Sequence, residues 1–171
     1  MDREQSLQPN LLWALRIVWL AMLGSVAVYI TISLWFAGDG AVEHLAEGQI
    51  SMMELMMMAF GAGNAFAVFW VNNAAKDPQR ARDLAERLGK ASGVKPGNEM
   101  TPEKMAAAYY FQVCVIRLAL SEVAAVFGLV LSFVAGPSIA VAALYLLSAW
   151  LMIRFQPGRE EFEDIRRLFA G

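Results

Sequence analysis

The feature that most constrains this chain is a series of four long apolar stretches separated by charged segments. The stretches cover residues 11–36, 51–75, 105–135 and 138–154. A segment needs about 20 mostly apolar residues to cross a bilayer as a helix. Because hydrocarbon offers no partners for backbone hydrogen bonds, such segments must satisfy them internally. The sequence therefore predicts an all-α protein, a polytopic four-helix transmembrane bundle that forms one membrane domain over residues 1–171.

Composition excludes several other classes of protein. Hydrophobic residues make up 58% of the chain, whereas a soluble domain has roughly half. The single cysteine, Cys114, rules out an intrachain disulfide and a cysteine-based zinc site. A net charge of −2 does not supply the basic face that a nucleic-acid partner requires. The sequence has no serine–histidine–acid set and no phosphate-binding glycine loop, so we expect neither enzymatic activity nor a cofactor.

The charges between the apolar stretches predict the orientation. Residues 37–50 contain three acidic residues and no lysine or arginine, whereas residues 76–104 contain seven basic residues. Positively charged loops stay in the cytoplasm, so both termini and the 76–104 loop should be cytoplasmic. Three charged residues precede the first stretch and no small-residue cleavage site follows it, which indicates a retained helix and not a signal peptide. With no targeting signal, we expect a multi-pass protein of a bacterial inner membrane.

Three arginines mark the predicted inner boundary of the membrane. Counted along their helices at about 1.5 Å per residue, Arg16, Arg117 and Arg154 reach one level, roughly 25–30 Å from the outer turns. Long basic side chains at this depth extend to lipid headgroups. We therefore expect all three to contact headgroups.

Two further helices are predicted outside the apolar stretches. Asp77-Pro78 is typical of a helix start and Gly89 of a helix end, with an apolar stripe between them. The tail at 157–171 is also amphipathic, with acidic residues early and arginines late, as suits a helix dipole. We expect the tail to lie on the inner membrane surface or to dock onto the loop helix.

Glu122 is the principal candidate for chemistry because it lies within the third apolar stretch. It is about five residues, or roughly 7–8 Å, inside the inner boundary. A carboxyl at that depth must be protonated, paired with a base or in contact with a wet cavity. Asn64, at a similar depth, and the buried polar residues Ser25 and Ser148 are candidate hydrogen-bond partners. Glu122 is then either an ion-binding group, for a proton or sodium, or a structural group in an interhelical hydrogen bond or salt bridge.

A resemblance to a known family supports the first interpretation. Glu122 is followed six residues later by Gly128-Leu129-Val130, and an earlier helix carries Ala59, Gly61, Gly63 and Ala67 before the polar segment 74–79. This half of the chain resembles the ring subunit of rotary ATP synthases, the c-type proteolipid. The resemblance implies that Glu122 binds an ion and that copies of the chain pack side by side. The chain differs from that family in its longer loop and its two additional helices.

Glu54 is the second acid within an apolar stretch. It lies about one turn inside the outer boundary, so it is either a solvated residue near a helix N-terminus or the outer mouth of an ion path to Glu122.

The methionines around Glu54 are candidate ligands for a soft metal ion. Thioethers suit soft metals such as copper(I). Methionine is more often a packing residue, and we therefore expect no metal. The candidate ligands are Met52, Met53, Met56, Met57 and the only histidine, His44.

Two functions follow from these observations. The first is ion binding or translocation, with Glu122 as the protonatable group, aided by Asn64, Ser25 and Glu54. The alternative is a membrane scaffold or accessory subunit that docks a partner through its cytoplasmic amphipathic helices. Besides the lipid bilayer, the expected partners are other copies of the chain or another membrane subunit, since the stripe formed by Ala59, Gly63 and Ala67 would let helices approach closely.

Overall fold

The computed structural model of the chain describes residues 7–37, 51–81, 83 and 101–170. These residues form helices and contain no strand. The elements are α1 (Leu7–Ala37), α2 (Met52–Ala74), α3 (Pro102–Ala135), α4 (Ile139–Arg154) and α5 (Arg159–Ala170). Residues 78–81 and 83 are also helical, at the predicted start of the loop helix, and the remainder of that predicted helix lies outside the described residues.

Three to four of these helices can cross a membrane. By length and composition, α1, α2 and α3 each qualify alone. With 16 residues, α4 is about 24 Å long, and it qualifies only when joined to α5, from which it is bent by 60°. Large apolar side chains such as Trp35, Phe66 and Leu146 are more than 70% exposed, as expected for a surface that faces lipid. The length and composition of these helices therefore fit a multi-pass membrane protein.

The third helix is the centre of the bundle. In the most apolar 18-residue segment of α3, 33% of the residues are buried, compared with 11% in that of α1 and 17% in that of α2. It packs against α1, α2, α4 and α5. Glycines allow α4 to approach closely: a Cβ on Gly61 of α2 would lie 2.5 Å from Leu144, and one on Gly128 of α3 would lie 3.2 Å from the ring of Tyr145. The fourth helix therefore packs closely against both α2 and α3 because Gly61 and Gly128 have no side chain at the contact.

The predicted small-residue stripe on α2 faces away from the other helices. A Cβ on Gly63 would meet nothing within 4 Å. Ala59 is exposed and Ala67 is partly exposed. The close packing within the chain uses Gly61 instead, on another face of the same helix.

The C-terminal helix folds back onto the first half of α3. Phe162 packs edge-on against Tyr110, with ring centroids 5.3 Å apart, and Phe169 lies 5.7 Å from Tyr109. The Tyr110 hydroxyl donates to the Gly158 carbonyl oxygen at 2.9 Å and accepts from its N–H at 3.0 Å, which fixes the turn before α5.

The tail is expected to lie on the membrane surface or to dock onto the loop helix, and among the described residues it docks mainly onto α3. The first turns of α3 offer Tyr109 and Tyr110 as an aromatic face, and the apolar stripe of α5 is buried against it. Ala81, in the loop, joins the same apolar cluster. Arg166 on α5 also forms an ion pair with Glu103 on α3.

Candidate functional site

The site around Glu122 lies between α3 and α1. Glu122 projects from α3 and is partly exposed. Ser25 and Tyr29 are four residues apart on α1, so they lie on the same face of that helix. The hydroxyl of Ser25 lies 2.6 Å from Oε1 of Glu122, and the hydroxyl of Tyr29 donates to the same oxygen at 3.1 Å. The carboxyl is thus held by two hydroxyl groups from the neighbouring helix.

The surroundings of Ser25 are compatible with two protonation states of Glu122. Ser25 Oγ lies 2.6 Å from Glu122 and 2.7 Å from the carbonyl oxygen of Met22. A serine hydroxyl has one hydrogen and two lone pairs, so it makes one full donation at a time. When the carboxyl is ionised, Ser25 donates to it. When the carboxyl is protonated, it can donate to Ser25, and Ser25 can donate to Met22. One arrangement of heavy atoms therefore suits both states.

Arg117 precedes Glu122 by five residues on α3, but its guanidinium contacts other helices. The Arg117 side chain is 1% exposed. Its Nη1 and Nη2 donate to the two carboxylate oxygens of Glu161 at 2.5 and 2.9 Å, and Nη1 also donates to Asn72 Oδ1 at 2.8 Å. The guanidinium carbon stands 5.6 Å from the centroid of the Phe155 ring. This arginine therefore joins α3 to α2 and α5.

Two consequences follow from the position of Arg117. Within the described ranges no lysine or arginine forms an ion pair with Glu122, so this carboxyl is held by neutral groups. We expected Arg117 to contact headgroups, but its guanidinium is buried and forms an ion pair with Glu161 of α5, which folds back onto α3. Arg16 and Arg154 are exposed, as side chains at a membrane boundary can be.

The other predicted members of the site lie elsewhere. The amide of Asn64 donates to the Phe60 carbonyl at 3.1 Å, one turn earlier on α2, and among the described residues it makes no hydrogen bond to Glu122. Ser148 is fully buried on α4, and its hydroxyl has no partner in the described part of the chain. Of the predicted partners, the structure brings only Ser25 to Glu122.

Glu54 caps its own helix. The Ser51 N–H donates to its Oε2 at 2.6 Å, and its own N–H donates to Ser51 Oγ at 3.2 Å. These two bonds form a capping box at the start of α2, and Glu54 is 5% exposed. The carboxylate is thereby held at the first turn of α2, and the geometry provides no direct link to Glu122.

The methionines near Glu54 lie on separate faces of α2. Met52 and Met56 are 74% and 52% exposed. Met53 and Met57 pack against the apolar cluster formed by α1, α3 and α4. His44 lies outside the described residues. The four thioethers therefore do not converge as the ligands of one metal ion would.

A second group of hydroxyls lies further along α1 and α3. Ser33 Oγ is 2.9 Å from Ser132 Oγ and 2.5 Å from the hydroxyl of Tyr145. The Tyr145 hydroxyl is also within hydrogen-bond distance of the Tyr29 carbonyl oxygen, at 3.3 Å. Ser132 follows Glu122 by ten residues, or about 15 Å along α3. Polar groups thus continue from the carboxyl toward the turn between α3 and α4.

The sequence contains a signal for Tyr29 that the prediction did not use. Tyr29 follows Ser25 by four residues, so any helix that presents Ser25 to Glu122 presents Tyr29 as well. Ser33 is four residues further on and extends the same stripe. Polar residues spaced by four on an apolar helix would have identified this face of α1.

No family model, no curated protein and no solved structure matches this chain. The resemblance to the ATP synthase ring subunit therefore stays a prediction.

Proposed function

We propose that this protein binds and translocates an ion, with Glu122 as the group that takes up and releases it. The observation that carries the proposal is a carboxyl on a membrane-spanning helix that is held by two hydroxyls, Ser25 and Tyr29, and by no cation of the described residues. Ionisable groups inside membrane helices are costly and commonly mark ion and proton pathways.

The geometry favours a proton as the ion. The hydroxyl of Ser25 can donate either to Glu122 or to Met22, so one proton can be gained or lost with a rotation of that hydroxyl. A carboxyl locked to a guanidinium would stay charged, and Glu122 has no such partner among the described residues. The hydroxyls of Ser33, Ser132 and Tyr145 supply polar groups beyond it.

The proposed arrangement in the membrane is a four-helix bundle with both termini and the 76–104 loop in the cytoplasm. The distribution of basic residues supports this orientation. A fourth span would consist of α4 and the bend that follows it, because α4 alone is shorter than the roughly 30 Å hydrocarbon core. Glu122 would then lie inside the bilayer, and a bacterial inner membrane is the expected location.

The experiment that tests the function is ion flux into liposomes that contain the purified protein. Wild-type protein should conduct protons under an applied gradient, and Glu122→Gln should abolish the flux while leaving expression and oligomer size unchanged. Glu163→Gln is the matched control, because Glu163 is a partly exposed carboxylate on α5 that lies outside the site around Glu122. Sodium flux measured in parallel identifies the ion. Equal flux in wild type and Glu122→Gln, or no flux in wild type, would contradict the proposal.

The structure provides less support for a scaffold that docks a partner through its amphipathic helices. The apolar residues Phe162 and Ile165 of α5 are 3% and 4% exposed because they pack against α3. A partner would therefore meet the polar face of α5. Deletion of residues 158–171 tests this alternative, since it should release a co-purifying partner.

The side-by-side association of copies is also a proposal. The outward face of α2 supports it, because Ala59 and Gly63 are exposed there and small residues permit close approach of helices in a membrane.

A further inference from the structure

A cavity of about 560 Å³ lies where α2 and α4 end and α5 begins. Its walls carry charges of both signs. Lys76, Arg117 and Arg154 are basic, whereas Glu160, Glu161 and Asp164 are acidic. Ligand pockets in proteins are typically about 300–1,000 Å³, so this cavity is large enough for a small polar group.

Part of this charge is already neutralised. Arg117 and Glu161 bind each other through two hydrogen bonds, and Asp164 lies 3.7 Å from Arg167. In the described part of the chain, neither Lys76 nor Arg154 forms an ion pair with an acidic residue.

The charged side chains of the cavity that form no ion pair among the described residues suit a ligand with one charge of each sign. By the same criterion Glu160 has no basic partner among the described residues. The cavity therefore offers two cations and one anion that a ligand can engage.

One buried atom also lacks a partner. Nε of Arg117 is buried and has no hydrogen-bond acceptor among the described residues, although the arginine lines the cavity. Buried donors in native proteins nearly always have an acceptor. An anionic oxygen inside the cavity would supply one.

In the membrane arrangement proposed above, the cavity lies at the level of lipid headgroups. Lys76 follows the last residue of α2 by two positions, and Arg154 is the last residue of α4. Directly before Arg154 on α4, Trp150 and Ile153 are 51% and 61% exposed and form an apolar surface. Tryptophan at the end of a span is typical of the membrane interface. Acyl chains can therefore run along α4 to a headgroup in the cavity.

We propose that this cavity binds the headgroup of a zwitterionic phospholipid with a primary ammonium, of the phosphatidylethanolamine class. Lys76 and Arg154 hold the phosphate, and Glu160 holds the ammonium. An anionic headgroup without an ammonium would leave Glu160 unpaired next to a second negative charge. A zwitterionic headgroup can therefore engage side chains of both signs, whereas an anionic headgroup engages only the two cations.

The test is lipid retention by the full-length protein. Protein is extracted from vesicles of equal phosphatidylethanolamine and phosphatidylglycerol, and bound lipid is counted by native mass spectrometry. Wild type should retain phosphatidylethanolamine in preference. Lys76→Gln and Arg154→Gln should each lower that retention about fivefold, the usual contribution of one basic side chain at a membrane surface. Glu160→Gln should remove the preference between the two lipids.

Arg16→Gln is the matched control, because Arg16 is an exposed arginine on α1 that does not line the cavity. Excess water-soluble glycerophosphoethanolamine should not displace the lipid, and displacement would assign the site to a soluble phosphate ester instead. Equal retention of both lipids by wild type, or equal loss in Arg154→Gln and Arg16→Gln, would overturn the proposal. All of the substituted positions are exposed, and the test does not depend on ion flux.

Discussion

The ion pair between Arg117 and Glu161 predicts an unequal response to removal of its two members. Arg117 is 1% exposed, whereas Glu161 is 29% exposed. Glu161→Ala leaves a buried guanidinium whose hydrogen-bond acceptors among the described residues are Asn72 and the Cys114 sulfur. Arg117→Met leaves a carboxylate that can reach water and fills the buried space with an apolar side chain. Glu161→Ala should therefore be the more damaging substitution.

The expected magnitudes follow from this difference in burial. Removing one partner of a buried pair costs about 3–5 kcal/mol, and the partial exposure of Glu161 places Glu161→Ala near the lower end of that range. Arg117→Met should cost about 1 kcal/mol, as for an exposed pair. For a chain of this size about 3 kcal/mol lowers the Tm by roughly 6–12 °C. The double variant should be more stable than Glu161→Ala, because it removes the unpaired charge.

Thermal unfolding in detergent, followed by circular dichroism, measures these differences for the two single variants and the double variant. An equal loss of stability in both single variants, or a larger loss in Arg117→Met, would refute the argument from burial. A double variant less stable than Glu161→Ala would refute it as well.

Two further predictions concern packing and the turn before α5. Gly61→Val should destabilise the protein because its Cβ would lie 2.5 Å from Leu144. Gly63→Val should leave thermal unfolding unchanged because nothing lies within 4 Å of its Cβ. If copies pack through this face, Gly63→Val should also reduce oligomer size in native mass spectrometry. Equal Tm values for the two variants would contradict the packing. Tyr110→Phe should lower stability by about 1 kcal/mol or more, since it leaves both backbone groups of Gly158 without this partner, and it should speed proteolysis at the start of α5. An unchanged Tm and cleavage rate would contradict that role.

The helices themselves could be predicted from the sequence because their causes are local. Apolar stretches long enough to span a bilayer gave α1, α2 and α3 within a few residues of their observed bounds. Pro78 was predicted as a helix start, and the amphipathic tail was predicted as a helix. Each of these predictions depends on residues close together in the chain, and no knowledge of other helices is needed.

The candidate site could be predicted in part. Ser25 is a polar residue within an apolar stretch, and as predicted it hydrogen-bonds Glu122. Counting residues along a helix gives depth. It gives no information about rotation around the helix axis, which depends on how the helices pack. For that reason Asn64, at a similar depth, faces elsewhere, and Tyr29 was missed.

At the inner end of the bundle, depth alone was also insufficient to predict the contacts of Arg117. Its depth matched that of Arg16 and Arg154, and headgroup contact was the natural prediction. Its burial results from α5, which returns Glu161 from 44 residues later in the chain. A contact over that distance depends on the docking of Phe162 on Tyr110, which no pattern within either segment encodes.

Infrared difference spectroscopy of the reconstituted protein across a pH change measures whether Glu122 exchanges a proton within the membrane. We expect a protonated-carboxyl band that appears as the pH falls, shifts in Tyr29→Phe because one hydrogen bond is lost, and is absent in Glu122→Gln. If the spectra of wild type and Glu122→Gln are identical in this region, Glu122 does not change its protonation, and the proposed function fails.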